Sequence, residues 1–65
     1  MAATYDRELK KILFDAGCRF VRPAKGSHEI WYSPISLRQL TVPTNITIRH
    51  AANGILKEAG LSKAF

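Results

Sequence analysis

The chain's 65 residues allow a single domain over residues 1–65 and exclude a two-domain enzyme with a deep cleft. With 46% hydrophobic and 23% charged residues, the composition is that of a folded protein. Ten lysines and arginines against five aspartates and glutamates leave a net charge of +5, which favours a polyanionic partner such as nucleic acid, an anionic membrane surface or an acidic protein.

The first predicted element is an amphipathic helix over residues 4–16. Thr4 stands before the apolar pattern as a candidate N-cap, and Gly17 lies where a left-handed residue would end the helix. The apolar positions follow the spacing i, i+3, i+4 and i+7 of one helix face: Leu9, Ile12, Leu13 and Ala16.

Three short strands are predicted next, over residues 18–22, 28–33 and 37–42. Pro23 ends the first strand and Pro43 the third, because proline cannot donate to a strand ladder. Turn-forming residues between the second and third strands predict an antiparallel hairpin. Side chains of the second strand alternate between two faces, with His28, Ile30 and Tyr32 on one and Glu29, Trp31 and Ser33 on the other.

The last predicted element is a helix over residues 47–59. Thr47 and Asn45 are its candidate N-caps, since both residue types can accept a bond from the first backbone N–H groups. The predicted apolar stripe comprises Ile48, Ala51, Ala52, Ile55, Leu56 and Ala59.

Two glycines mark this last helix. Gly54 lies inside it and is interpreted as a close-packing position, because glycine otherwise weakens a helix. Gly60 followed by Leu61 is typical of a helix end at which the apolar residue packs back on the last turn. The tail, residues 62–65, is expected to be frayed.

The order of elements is therefore α-β-β-β-α, which predicts an α+β fold with a three-stranded antiparallel sheet. Both helices are expected on one face of the sheet, because each has one apolar stripe to bury. The opposite face would then be open to solvent, where a partner binds most easily.

Few residues could form a disulfide or hold a metal. Cys18 is the only cysteine, so we expect a small buried hydrophobe rather than a bonded residue. One cysteine and two distant histidines form no zinc-ligand cluster, so neither a metal nor a cofactor is expected. No apolar run approaches the roughly 18 residues that span a bilayer, and no export signal is visible, which predicts a cytoplasmic chain without a membrane partner.

The segment from Lys25 to Tyr32 contains the residue types that act on a phosphodiester. Lys25 supplies a cation, Gly26 lets the backbone approach an anion closely, and Ser27 adds a hydroxyl donor. Histidine is the side chain that moves protons near neutral pH, and His28 follows directly. In RNA the 2′-hydroxyl can be the nucleophile, so a metal ion is not obligatory.

A purely structural interpretation of the same segment stands beside the functional one. A Gly-Ser-His turn that enters a strand is most often a turn whose polar groups bond locally. Trp31 and Tyr32 could stack on unpaired bases, but they are adjacent, so one of them is expected to help build the core. From the residues alone the structural interpretation is favoured.

Basic residues on neighbouring strands could form one patch beside the histidine. Regular alternation points Arg19 and Arg22 to opposite faces, however, so not all of them can share a surface. Glu29 follows His28 directly and points to the other face, which makes it a poor candidate for orienting the imidazole. The candidate patch comprises Arg19, Arg22, Lys25 and Arg38.

Four segments fall in an order that is typical of one family. They are Gly17–Arg22 (GCRFVR), Lys25–Trp31 (KGSHEIW), Thr41–Pro43 (TVP) and Ile55–Leu61 (ILKEAGL). In this order and at this length the chain resembles the HicA toxins, the mRNA interferases of the HicA–HicB toxin–antitoxin systems. The resemblance covers residues 5–61.

The resemblance implies a fold similar to the double-stranded-RNA-binding domain and endoribonuclease activity on mRNA, with His28 essential. It also implies a HicB-type antitoxin that covers the active surface, and a basic toxin would suit an acidic inhibitor. The residues expected to bind the substrate around His28 are Arg22, Lys25, Gly26, Ser27 and Trp31.

The chain departs from the family pattern at two places. Cys18 stands where many members have an aromatic residue, and Phe20 is expected to fill that space. The start of the last helix offers only Arg49 and His50, whereas double-stranded-RNA-binding domains usually carry a lysine cluster there. A single-stranded RNA is therefore the expected substrate rather than a long duplex.

The expected mechanism has His28 as the general base that takes a proton from the 2′-hydroxyl. Lys25 and the backbone N–H groups around Gly26 would stabilise the charge on the phosphate. Either water or His28 itself protonates the leaving group. Two alternative functions are a non-catalytic basic RNA-binding module and a structural partner of an acidic protein. The sequence does not decide which face of the sheet His28 occupies, since a bulge could turn its side chain.

Overall fold

A computed structural model of the chain describes residues 4–65 and contains two helices and one sheet. The elements are α1 (Asp6–Asp15), β1 (Arg19–Pro23), β2 (His28–Ser33), β3 (Arg38–Pro43) and α2 (Arg49–Glu58). The strands lie in the order β1-β2-β3, and both neighbouring pairs are antiparallel. The predicted α-β-β-β-α fold is confirmed. Neither helix of the described residues is long and apolar enough to cross a membrane.

The core lies between the two helices and one face of the sheet. Leu9 and Leu13 of α1 are fully buried, as the helical spacing predicts, and Cys18 is a buried free thiol. From the sheet, Trp31 faces its cross-strand partner Leu40 on the same side. The other buried apolar residues are Val42, Ile46, Ala52, Leu56 and Ala59.

The start of α1 differs from the prediction. The helix begins at Asp6 with Tyr5 as its N-cap, so the choice of Thr4 is wrong. The Tyr5 N–H donates to the Ile46 carbonyl at 2.7 Å, so a backbone bond to a distant segment fixes this end. The other end is as predicted: Gly17 has a φ of 97° and follows the last helical turn.

The turn between β2 and β3 takes one residue more than predicted. Leu37 lies in the turn, not in the strand, with a φ of 59° and 73% of its surface exposed. The Ser33 hydroxyl accepts the N–H groups of Ile35 at 3.2 Å and Ser36 at 3.4 Å, which holds the turn in this shape. Strand β3 therefore begins at Arg38.

The start of α2 was also predicted too early. The N-cap is Ile48, in extended backbone, so the candidates Thr47 and Asn45 are both wrong. Ile48 is 63% exposed, and Ile46 occupies the core position instead. Ala51 is exposed too, so the buried face of α2 is narrower than the predicted stripe.

The end of α2 is as predicted, whereas its middle is not. The Leu61 N–H donates to the Leu56 carbonyl at 2.8 Å, the bond expected of a glycine-terminated helix. Gly54, by contrast, is exposed, and a Cβ built there would meet no described atom within 4 Å outside the helix's own backbone and its chain neighbours. Its interpretation as a close-packing position is therefore wrong.

The last residues of the chain are held against α2 and are not frayed, which corrects the prediction for residues 62–65. The Asn53 side chain accepts the N–H groups of Ala64 at 3.2 Å and Phe65 at 3.0 Å. Asn53 also donates to the Phe65 carbonyl at 3.1 Å. The Phe65 ring packs edge-on against Tyr5, with 5.2 Å between the ring centroids.

Candidate active site

His28 is the first residue of β2, and the buried residues of that strand decide where it points. Trp31 and Ser33 face the helices, so His28, Ile30 and Tyr32 lie on the opposite face. The structure thus places His28 exposed on the open face of the sheet, at the end where it pairs with Pro43.

The loop before His28 is fastened on both sides by backbone hydrogen bonds. The Ala24 N–H donates to the His28 carbonyl at 2.9 Å, and the Thr44 N–H donates to the Ser27 carbonyl at 2.7 Å. Gly26 has a φ of 72°, a conformation that side-chain-bearing residues rarely adopt. These bonds keep Ser27 and His28 beside the end of β3.

The His28 imidazole is oriented by the backbone of the same loop. Its Nδ1 lies 3.3 Å from the Lys25 carbonyl oxygen. A carbonyl oxygen only accepts, so this contact makes Nδ1 the donor and leaves the lone pair of the neutral ring on Nε2. The arrangement suits a general base whose reactive atom is Nε2.

Glu29 belongs to the other side of the sheet, as predicted, and takes no part in orienting the imidazole. It accepts a hydrogen bond from Trp31 Nε1 at 3.0 Å and pairs with Lys10 at 3.2 Å. The bond from Trp31 and the Lys10 ammonium lower the pKa of Glu29 below its usual value of 4.5, against the opposing effect of partial burial.

A β-bulge in β1 brings Arg22 to the face that carries His28. Phe20 pairs with Trp31 and Arg22 with Ile30, so the register shifts at Val21. Without the shift, Phe20 and Arg22 would lie on the same face, because alternate residues of a strand share a face. With it, Arg22 shares the open face with Ile30.

A profile of the family described as "HicA toxin of bacterial toxin-antitoxin" matches residues 7–61. The matched segment runs from the first turn of α1 to the third residue after α2, and it contains the whole sheet. The chain belongs to the HicA toxin family. It is therefore a toxin of a toxin–antitoxin system, and this membership implies an antitoxin partner. Neither the curated proteins nor the solved structures contain a match to the chain.

The basic patch predicted for the toxin is divided. Arg19 pairs with Tyr32, so the bulge places it on the same open face as Arg22, and the prediction that the two point to opposite faces is wrong. Its guanidinium nevertheless lies 4.5 Å from the centre of the Phe14 ring and donates to the Cys18 carbonyl at 2.9 Å, so it is held at the end of α1. Arg38 pairs with Ser33, a residue of the helix-facing side. Of the other two members, Arg22 shares the open face with His28, and Lys25 belongs to the loop that precedes it.

The exposed aromatic residue on the face of His28 is Tyr32. Trp31 is only 7% exposed, with Phe20 packed edge-on against it at 6.3 Å, so the substrate contact predicted for Trp31 is not possible in this arrangement. Tyr32 is 38% exposed on the same face as His28. The alternation of β2 contained this signal, since His28 and Tyr32 are four residues apart.

Two polar residues of β3 complete the open face and were missed. Gln39 pairs with Tyr32, and Thr41 pairs with Ile30, so both lie on the side of His28. Both are exposed. The sequence pattern that could have predicted them is the alternation with the apolar residues Leu40 and Val42, because burial of these two places their neighbours on the opposite face.

Proposed function

We propose that this toxin is an endoribonuclease and that His28 is its general base. The observation that supports the proposal most is the contact between His28 Nδ1 and the Lys25 carbonyl, because in the neutral ring it leaves the lone pair on Nε2, and the ring is exposed. Arg22 on the same face and Lys25 in the loop before His28 are the proposed cations for a phosphate. A base, cations and an open surface are what cleavage of RNA by its own 2′-hydroxyl requires.

In the proposed reaction, Nε2 of His28 takes the proton of a 2′-hydroxyl while its oxygen attacks the adjacent phosphorus. The bond from phosphorus to the 5′ oxygen breaks, which leaves a 2′,3′-cyclic phosphate and a new 5′-hydroxyl. The proton for the 5′ oxygen comes from water or from the His28 imidazolium. One general base of this kind contributes about 100- to 10,000-fold to the rate.

The basic groups near His28 are proposed to stabilise the charge on the phosphate oxygens. Lys25 and Arg22 supply full positive charges, and the backbone N–H groups around Gly26 supply dipoles. The left-handed φ of Gly26 favours glycine at this point of the loop. Ser27, whose carbonyl is tied to Thr44, would add a hydroxyl donor.

The proposed substrate is single-stranded RNA. Tyr32 presents an exposed ring on the face of His28, and stacking on such a ring requires an unpaired base. The polar neighbours Gln39 and Thr41 can bond to base edges on the same face.

We further propose that a HicB-type antitoxin silences the toxin by covering this open face. The net charge of +5 favours an inhibitor with an acidic contact surface. The complex should then protect an RNA substrate from cleavage, and its affinity should fall as salt is raised. Isothermal titration at two salt concentrations measures this directly.

Cleavage of a defined single-stranded RNA by purified protein, with EDTA present, tests the catalytic proposal. His28→Ala should lower the rate by about 100- to 10,000-fold, and the wild-type products should carry 2′,3′-cyclic phosphates. Glu29→Gln is the matched control, since the adjacent side chain faces α1. Equal cleavage by wild type and His28→Ala would refute the role of His28. If neither cuts RNA but both bind it, the protein is a binding module.

A further inference from the structure

A groove of about 900 Å³ lies between α2 and the last residues of the chain, away from His28. Asn53 forms part of its lining and, through its bonds to Ala64 and Phe65, holds the opposite wall in place. Phe65 and Leu61 give the groove apolar surface. The groove is therefore built by specific contacts of this chain.

Three of the ten residues that line this groove carry a positive charge. Arg49 and Lys57 come from α2, and Lys63 comes from the segment after it. Of the described residues that line the groove, none has an acidic side chain. Arg49 and Lys57 are eight positions apart, which is about 12 Å along a helix. Cations spread over such a distance suit an anion that repeats its charge.

Gly54 lies in the lining of the groove, midway along α2. Glycine inside a helix stabilises it less than alanine does. Close packing among the described residues does not explain Gly54, because a Cβ there would meet no described atom within 4 Å beyond its own helix backbone and chain neighbours. Because Gly54 has no side chain, the backbone of α2 is exposed to the groove at this position. A ligand can therefore approach the helix closely at this point.

A smaller depression at the end of the sheet that carries His28 shares one lining residue with the groove. Pro43, the partner of His28, lines this depression of about 140 Å³ together with Ile48. Ile48 in turn lines the groove. An RNA strand cut at His28 would have to pass this shared residue to reach the groove.

We propose that the α2 groove is a second RNA-binding site, which holds the phosphate backbone of single-stranded RNA beyond the cleavage point. This inference rests on the proposed function, because it takes RNA as the substrate. The repeated cations favour a nucleic acid strand over a single anion, and the apolar surface of Leu61 and Phe65 can contact bases.

Binding of a 2′-O-methyl RNA oligonucleotide tests the inference, since it keeps the phosphates and lacks the nucleophile. The variant Lys57→Gln with Lys63→Gln is compared with Arg7→Gln with Lys11→Gln, which removes the same charge from exposed positions of α1. The groove variant should bind more weakly than the control. Its plot of log K against log salt should be less steep by about 1.4, or about 0.7 for each lost contact.

A second pair of variants separates charge from size. Gly54→Glu and Gly54→Gln introduce side chains of equal size where the structure leaves room. If phosphates occupy the groove, Gly54→Glu should weaken binding more than Gly54→Gln. Thermal unfolding of all variants verifies that each is folded.

The outcomes distinguish this inference from the proposed function. If wild type cuts RNA but the groove variants bind like the control, the second site is refuted and the nuclease proposal stands. If wild type neither binds nor cuts RNA, both are refuted. If the groove variants bind RNA normally but bind the antitoxin more weakly, the groove belongs to the antitoxin, and the inference is likewise refuted.

Discussion

Ser33 and Ser36 offer a sharp test of the packing that positions the site, because the same substitution should destabilise the protein at Ser33 and not at Ser36. Ser33 is fully buried and donates to the Ala59 carbonyl at 2.7 Å. It also accepts the N–H groups of Ile35 and Ser36, so one hydroxyl joins the β2–β3 turn to the end of α2. The Ser36 hydroxyl is buried without a hydrogen-bond partner among residues 4–65.

The magnitudes follow from these contacts. Ser33→Ala leaves the Ala59 carbonyl unpaired in the core, which costs about 1–3 kcal/mol. In a domain of this size, 1 kcal/mol lowers Tm by about 4–8 °C, so the expected decrease is roughly 5–20 °C. Ser36→Ala removes a hydroxyl that gains nothing from burial, so the free energy of unfolding should stay equal or rise.

Thermal unfolding followed by circular dichroism, with both variants and wild type in one buffer, measures the two shifts. Reversibility must be verified by a second scan, since Tm is otherwise dependent on the scan rate. A similar loss of Tm in both variants would refute the reasoning, because it would mean that the loss of any hydroxyl here costs stability. A larger loss in Ser36→Ala would refute it too.

Further predictions concern two glycines and one carboxylate. Gly54→Ala should raise the free energy of unfolding by up to about 1 kcal/mol. Gly60→Ala should lower the free energy of unfolding by more, because its Cβ would lie 2.7 Å from Ile35 Cγ2 at a φ of 84°. Urea titrations of both variants measure the two changes. For Glu29, the folded-state pKa is lowered, so the stability it contributes is present above about pH 4.5 and lost as pH falls through the lowered pKa. Glu29→Gln should weaken this acid dependence in urea titrations over a pH series, and an unchanged dependence would contradict the lowered pKa that the Trp31 bond and the Lys10 pair produce.

The order of elements could be predicted because each has its own hydrophobic period, but the helix starts could not. Leu9 and Leu13 followed the helical spacing into the core. At the helix starts, the predicted polar residues are not the N-caps, because contacts between distant segments decide where each helix begins. The Tyr5 N–H bonds to the Ile46 carbonyl, and Ile46 rather than Ile48 fills the core. A bond between distant segments produces no pattern in the neighbouring sequence from which it could be predicted.

The site was predictable where it depends on neighbours in sequence. The resemblance selected the Gly-Ser-His segment, and the alternation of β2 separated His28 from Glu29. The position of Arg22 was not predictable, because it depends on a bulge at Val21 that no residue in the segment indicates. The choice between Trp31 and Tyr32 was open until the packing of α1 and α2 was known.

The packing of Trp31 and Ser33 determines which face of the sheet His28 occupies. Strand side chains alternate with a period of two, so a shift of one residue in β2 would turn His28 toward the helices. Burial of Trp31 and the bond from Ser33 to Ala59 both oppose that shift. The exposure of the imidazole is thus produced by the core on the other side of the sheet. On the proposed function, a base held outward in this way is always accessible to RNA, and control must come from a partner that covers it.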